Sequence, residues 1–430
     1  MSAPPVSPSA GRPHAASAGS SAALPAAFHR LVASSLAANL AEQMSLAGAP
    51  LVAVIALGSG AGGTGLLQAA QTLPFLLLAI PAGVLADRSS RHRLMALAEA
   101  VRLLALLSIL ALLMLDRLTL PLLAALGFLG ATGTVVFSVC TPALTPALVS
   151  RASLGQANRL LELVRSATYI AGPALGGALV GWIGASPAFA LAATLSAVAV
   201  MLLQGIQEPG RAFVSARPAM PPFAELREGA SFLFGHVLLR PIFFTAVWFN
   251  VGFFVLMGIY VAYAHEHLRL GASAIGLTLG LYGVGMLCGA FIAGRLLRVV
   301  RFGVAICIGP VMGLAAILMM AATIIAPSVG LAGCAFLLIG AGPMVWTIAT
   351  TTLRQAVTPE ATLGRVSAVI LTATYGARPV GAALGAVMAS TVSLPACLLV
   401  AVLAFMIQAG IILRSAPARL ASLEAASTGS

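Results

Sequence analysis

The sequence predicts an all-α membrane protein with twelve transmembrane helices in two pseudo-symmetric six-helix halves. Composition, the spacing of apolar runs and an internal duplication each point there. Of the 430 residues, 60% are hydrophobic and only 8% charged, with a mean hydropathy of +1.05. Soluble domains carry about 25% charged residues, so this chain lies far outside that class. Apolar runs of about 18 to 27 residues recur twelve times, the length that crosses a hydrocarbon layer of about 30 Å. A shift of 209 residues lays Leu154-Gly155 on Leu363-Gly364, Gly172 on Gly381, Leu175 on Leu384 and Gly176 on Gly385. The same shift sets Gly133 on Gly342, Ser138 on Thr347 and Thr141 on Thr350, and a shift of 211 sets Gly83 on Gly294. One offset sustained across neighbouring spans outweighs chance matching in a chain rich in Gly, Ala and Leu. Duplicated halves of this kind hold a substrate between them near the midplane.

The formal charge of +12 comes from 23 basic residues, all of them Arg. They concentrate in the tails and in alternate loops; the opposite loops hold only Arg117 and Arg269. That asymmetry is the positive-inside pattern and puts both termini in the cytoplasm. Orientation therefore accounts for the charge, and nucleic acid is not an expected partner. Without Lys there is no phosphate-binding loop ending in Gly-Lys-Ser/Thr and no Schiff-base nucleophile, so no ATP motor is expected. Cys140, Cys288, Cys307, Cys334 and Cys397 fall in or at the ends of spans without paired spacing and read as packing residues. No cofactor or metal is implied. The absence of His-Glu-x-x-His and Gly-x-Ser-x-Gly argues against an intramembrane enzyme.

Residues 1–27, rich in Ala, Ser and Pro, read as a disordered cytoplasmic tail rather than a secretory signal. The first half, 28–206, holds spans at 31–57, 66–85, 94–115, 118–140, 157–180 and 187–204. Residues 207–239 form the longest polar segment, with Glu208, Arg211, Arg217, Glu225, Arg227 and Glu228, and are expected to be a cytoplasmic loop. The second half, 240–414, holds spans at 242–263, 275–297, 304–325, 329–352, 366–390 and 394–413, and residues 415–430 form a cytoplasmic tail.

Ionisable residues inside spans cost roughly 2.5–3.5 kcal/mol at the bilayer centre and mark function by default. Glu42 lies 11 residues into span one, about 16 Å along its axis, and shares a polar face with Ser35 and Asn39. Desolvation there penalises the charged carboxylate, which suits a group that takes up and releases protons. The competing reading is a neutral Glu bonded to a neighbouring helix. Glu99 with Arg102, and Glu162 with Arg165, sit three apart near the cytoplasmic ends of their spans and read as self-neutralising structural pairs. Arg378 is 13 residues into span eleven with no acid nearby in sequence; it either binds an anionic substrate group or pairs with a distant Glu. Asn250 lies within two residues of the repeat position of Glu42. Phe249, Phe253, Met257 and Tyr260 form a stripe that lines a cavity or faces lipid. His265-Glu266-His267 reads as a solvated outer rim. Gly172/Gly176 and Gly381/Gly385, four apart, bare backbone for close helix packing, as do Gly276/Gly280 and Gly285/Gly289.

Two motifs carry a family resemblance. Gly83-Val84-Leu85-Ala86-Asp87-Arg88-Ser89-Ser90-Arg91-His92-Arg93 resembles the Gly-x-Leu-Ala-Asp-Arg-x-Gly-Arg-Arg signature of the major facilitator superfamily. Gly83, Leu85, Ala86, Asp87, Arg88 and Arg91 match in place, while Ser90 replaces the preferred Gly and His92 a permanent cation. Gly172-Pro173-Ala174-Leu175-Gly176-Gly177 resembles the Gly-Pro-x-x-Gly-Gly motif common in its exporters, and the repeat partner Gly381 to Ala386 lacks the Pro. With Leu154-Gly155-Gln156-Ala157-Asn158, the chain is similar to the bacterial branch containing enterobactin-type exporters. The resemblance implies the major facilitator fold, alternating access, a multi-pass monomer in the bacterial inner membrane, and a cytoplasmic latch. In that latch Gly83, Asp87, Arg88 and Arg91 meet the start of span eleven near Arg365. Two departures stand out: span four has no Arg, and the second-half loop from Gly294 to Arg301 keeps bases but no acid. The reading is an exporter of a small amphiphilic compound, such as a drug, siderophore or other secondary metabolite, driven by proton antiport. The alternative is an importer or symporter on the same fold.

Overall fold

The computed structural model describes residues 24–150, 153–207 and 222–423, with the side chains of residues 87–88, 222–225 and 360–361 also outside that set. Most of the expected N-terminal tail, residues 208–221 of the inter-half loop, residues 424–430 and the Asp87 and Arg88 side chains thus lie outside the described residues. The first half comprises α1 (Ala26–Ile55), α2 (Ala61–Arg88), α3 (Arg91–Met114), α4 (Leu120–Leu148), α5 (Leu154–Ile183) and α6 (Ala185–Gln204). After α7 (Pro222–Gly235) come α8 (Leu239–Glu266), α9 (Ala272–Val299), α10 (Phe302–Ala322), α11 (Val329–Val357), α12 (Glu360–Thr391) and α13 (Leu394–Leu413), then a 3-10 turn at Ala416–Arg419. The described residues hold no strand.

Each expected span lies within or overlaps one long helix, but the helices run past the apolar runs; α4 continues eight residues beyond Cys140. Among the described residues, ten helices are long and apolar enough to cross a bilayer. The other two long helices, α5 and α12, fall short because Arg159, Glu162 and Arg165, or Arg378 among Gly and Thr, dilute them. Glu162, Arg165 and Arg378 face a cavity rather than lipid, as described below. Connections are tight: Gly184, at φ +95°, alone joins α5 to α6, and Ser328 and Ser393 cap α11 and α13 by accepting from Leu331 N and Ala396 N.

Two segments outside the expected spans are also ordered. The inter-half loop contains α7, whose Leu226, Ala230 and Leu233 follow four-then-three spacing after Pro222 in the first turn. Its Gly229 sits so close to α12 that a Cβ there would lie 2.6 Å from the Arg365 carbonyl carbon. The start of the C-terminal tail packs on α10, where Gly303 N donates to Leu420 O at 2.9 Å and satisfies a free helix-start amide.

Within each half the duplicated glycines do the same work. Gly172 and Gly176 of α5 bed onto Gln43 and Met44 of α1; Gly381 and Gly385 of α12 bed onto Val251 and Val255 of α8. Gly285 and Gly289 of α9 take the backbone of α11 at Leu337 and Ala341. Between the halves, α5 meets α9 and α2 meets α12 at the end carrying Arg117 and Arg269. A Cβ on Gly65 would lie 2.8 Å from the Ala386 backbone, and one on Gly177 2.7 Å from Ala272 O and Gly276 Cα. Towards the arginine-rich end the halves diverge, and Gly83 faces open space. The result is a bundle closed at one end by backbone contact.

Gly177→Leu, which cannot be accommodated in that contact, is expected to part the halves at the sealed end. Spin labels at Asp116 and Ala326 on a cysteine-free background should report a longer inter-half distance in the variant; an unchanged distance distribution would contradict the close approach.

Candidate substrate cavity between the halves

A cavity of about 1040 Å³ lies between the halves and runs to the arginine-rich end, where Asn158, Leu239 and Arg354 line it. Its ceiling is aromatic. Phe75 of α2 and Tyr375 of α12 meet edge-on across the halves at 5.0 Å between centroids, and Tyr169 of α5 meets Tyr282 of α9 at 6.1 Å. The glycine contacts lie beyond these rings.

Ser35, Asn39 and Glu42 all line the cavity, as their shared helix face requires. Glu42 is not isolated: Arg102 Nη2 of α3 approaches its carboxylate to 3.9 Å. Arg102 is 3% exposed and Glu99, which accepts from Arg102 Nη1 at 2.9 Å, is 0% exposed. The guanidinium also donates to Thr134 Oγ1 at 2.7 Å and to the carbonyls of Ala38 and Gly130 at 3.2 Å, and Ser196 donates to Glu99. One buried cation thus joins α1, α3 and α4 directly and α6 through Glu99. This corrects the expectation that Glu99 and Arg102 snorkel to an end: Glu99 is fully buried, and Arg102 touches only the cavity wall. The i,i+3 pairing itself is as expected.

Glu162 and Arg165 also pair, at 2.8 and 3.0 Å, but 42% and 46% exposed, on the cavity wall. Arg378 has no carboxylate partner among the described residues. Its guanidinium carbon stands 4.4 Å from the Tyr375 centroid, 5.3 Å from Phe75 and 5.4 Å from Phe254, with Nε buried and lacking an acceptor. Asn250 lines the cavity and donates to Ala246 O at 2.9 Å. Phe249, Phe253 and Met257 line it as well, whereas Tyr260 is fully buried behind them and bonded to Thr278. Sequence reasoning missed Arg354, Thr134 and Trp346 as lining residues.

The motif residues are spread. Arg91 donates to Ala143 O and ties α3 to α4. Arg365 pairs with Glu228 of α7. Gly177 forms part of the seal, and Pro173 reaches the cavity. His265 and His267 bond to backbone carbonyls of Leu270 and Ile324, and no metal-binding group occurs among the described residues. No disulfide joins the cysteines among the described residues.

Twelve long helices in two alike halves around a central cavity closed at one end define a membrane solute transporter of the major facilitator fold. The chain belongs to the transmembrane secretion effector family of that superfamily, whose family model matches residues 19–429. It is 30% identical over 251 residues to the uncharacterized MFS-type transporter y4rN of Sinorhizobium fredii, covering 57% of this chain and 60% of that one. It is 26% identical over 183 residues to the multidrug efflux pump Tap of Mycolicibacterium fortuitum, covering 40% of this chain and 44% of that one. The chain thus spans about three fifths of the one relative and under half of the other. Among solved structures, a bacterial homologue of the iron transporter ferroportin in its inward-facing state aligns with a TM-score of 0.72 at 17% identity, over 90% of this chain and 98% of that one. An inward-facing, unoccupied bacterial homologue of the lysosomal transporter Spinster aligns at 0.67 and 15%, over 92% and 97%. At such identities the likeness concerns the fold.

Arg102→Met should strand Glu99 in a dry site and cost about 3–5 kcal/mol, whereas Glu162→Gln, which breaks a half-exposed pair, should cost under about 1 kcal/mol. Melting temperatures in detergent check this; similar losses for the two would overturn the ranking.

Proposed function

We propose that the protein exports a small amphiphilic compound by alternating access, with proton antiport through Glu42. The observation that carries it is a large amphiphilic cavity open at the arginine-rich end and sealed by backbone contact at the other. The excess of Arg at the open end assigns it to the cytoplasm under the positive-inside rule, so the state described is loading-competent from inside the bacterial cell. The Gly-Pro-x-x-Gly-Gly motif and the likeness to an efflux pump favour export over import. Glu42 is 16% exposed, faces the cavity and stands at the edge of a fixed cationic network. This supports Glu42 as the carboxyl that exchanges a proton with the cavity, since Glu99 is locked by Arg102 and Ser196 and Glu162, also on the wall, is held by two bonds from Arg165. The chain acts as a monomer, without ATP.

The latch belongs to the same proposal. In the open state Arg365 is held by Glu228 of α7. Closure at the cytoplasmic end would bring the α2 end, with Asp87, to the start of α12, where an anion gains about 0.3–1 kcal/mol from the helix terminus.

Flux in proteoliposomes with and without an imposed pH gradient tests coupling. Glu42→Gln should lose at least about tenfold of the gradient-driven rate while keeping substrate binding. A variant that responds to the gradient like the parent would place the coupling carboxyl elsewhere; a parent that ignores the gradient would remove proton antiport. The substrate for that assay comes from comparing metabolites released by knockout and overexpressing cells. Asp87→Asn should raise the inward-open population and slow transport at matched expression, and normal transport by it would sink the latch.

A further inference from the structure

The charges of the cavity are segregated between the halves. Its lining carboxylates, Glu42 and Glu162, both belong to the first half, each beside an arginine, Arg102 or Arg165. The second-half wall carries only cations, Arg354 near the mouth and Arg378 at the ceiling, and neither has a carboxylate partner among the described residues. Both have a buried Nε without an acceptor. The duplication does not require this: the 209-residue shift that superposes the halves sets Arg378 on Tyr169, Leu371 on Glu162 and Thr374 on Arg165.

The rings of Phe75, Phe254 and Tyr375 turn their faces to the Arg378 guanidinium. Ring faces attract the charge but accept none of the in-plane N–H bonds of the fork, which match a carboxylate geometrically. Beside this group, Phe253 meets Phe254 edge-on at 5.4 Å and stacks on Tyr282 at 5.5 Å and on Phe249 at 5.6 Å, so an aromatic cluster continues from the cationic fork. A fork short of acceptors next to flat apolar rings fits a planar aromatic group bearing an acid.

We propose that the cavity takes aromatic organic anions, with the acid on Arg378 and the ring along Phe253 and Tyr282, and that Arg354 meets the anion first at the mouth. This rests on the reading of the cavity as the transport site, not on the direction or coupling of transport. The proton at Glu42 and the anion at Arg378 then occupy different halves and do not compete for one group. A cationic ligand would instead seek Glu42 and Glu162, where arginines already stand.

Purified protein in nanodiscs titrated with 2-naphthoate, 2-naphthamide and 2-naphthylmethylammonium, followed by calorimetry, tests this with one ring system and three charges. Naphthoate should bind about tenfold or more tightly than either of the others. Arg378→Gln should erase that preference. Phe253→Leu, which keeps the charge and removes a ring from the proposed contact, should weaken all three ligands alike while keeping the naphthoate preference, and serves if the first variant folds poorly. Equal binding of the amide or the ammonium, a preference that survives Arg378→Gln, or binding by none of the three at millimolar concentration would overturn the proposal. Arg378-dependent binding of naphthoate without movement under any gradient in proteoliposomes would leave the site standing and remove the transport reading instead.

Discussion

Arg102 is the constraint on which the first half depends. A guanidinium at 3% exposure in a membrane interior is tolerable only when its charge and donors are met. Here Glu99 supplies the charge, and Thr134 with the carbonyls of Ala38 and Gly130 supply acceptors from two other helices. Satisfying one side chain therefore fixes the mutual register of α1, α3 and α4, and Ser196 brings α6 into the same network through Glu99. Glu42 is the member left at the edge, 3.9 Å from the cation and partly open to the cavity. The proposed proton-carrying role draws on that marginal position: held closely enough to stay in place, loosely enough to change state.

Much of this was legible in the sequence, and the limits have physical causes. Helix count and the two halves follow from apolar run length and the 209-residue offset, because bilayer thickness and backbone hydrogen bonding leave few alternatives. The Ser35–Asn39–Glu42 face and the two i,i+3 pairs are properties of single helices and were readable. The contact between Glu42 and Arg102 was not, because it depends on the register of two helices separated by sixty residues of chain. Depth was misjudged for Arg102 because α3 starts at Arg91, in the charged loop, ahead of its apolar run. The aromatic cage of Arg378 draws on α2, α8 and α12, and no local spacing encodes it. Residues of α7 looked like loop because their surroundings are polar; the spacing of Leu226, Ala230 and Leu233 was the available signal.

The halves share a backbone plan but not a chemistry. Glycines recur at equivalent places because helix packing is demanded equally on both sides, as Gly172/Gly176 and Gly381/Gly385 show. The charged residues do not recur: Glu42, Glu99 and Arg102 fall on Val251, Ile308 and Val311 under the same offset. Duplication supplies the mechanical frame, and the two copies have since diverged in what they present to the cavity.

The glycine seal also bears on kinetics. Across Gly65 and Ala386, and across Gly177 and Gly276, backbone meets backbone with no long side chain threaded between. Parting such surfaces requires no rotamer to unlock and frees little side-chain entropy, so the activation barrier there is set by the rigid-body slide itself and by separating the ring pairs Phe75–Tyr375 and Tyr169–Tyr282. Those rings also form the ceiling over any occupant of the cavity. A bound molecule that touches them thus acts directly on the last contacts that must break, which gives cargo a physical means of setting the turnover rate.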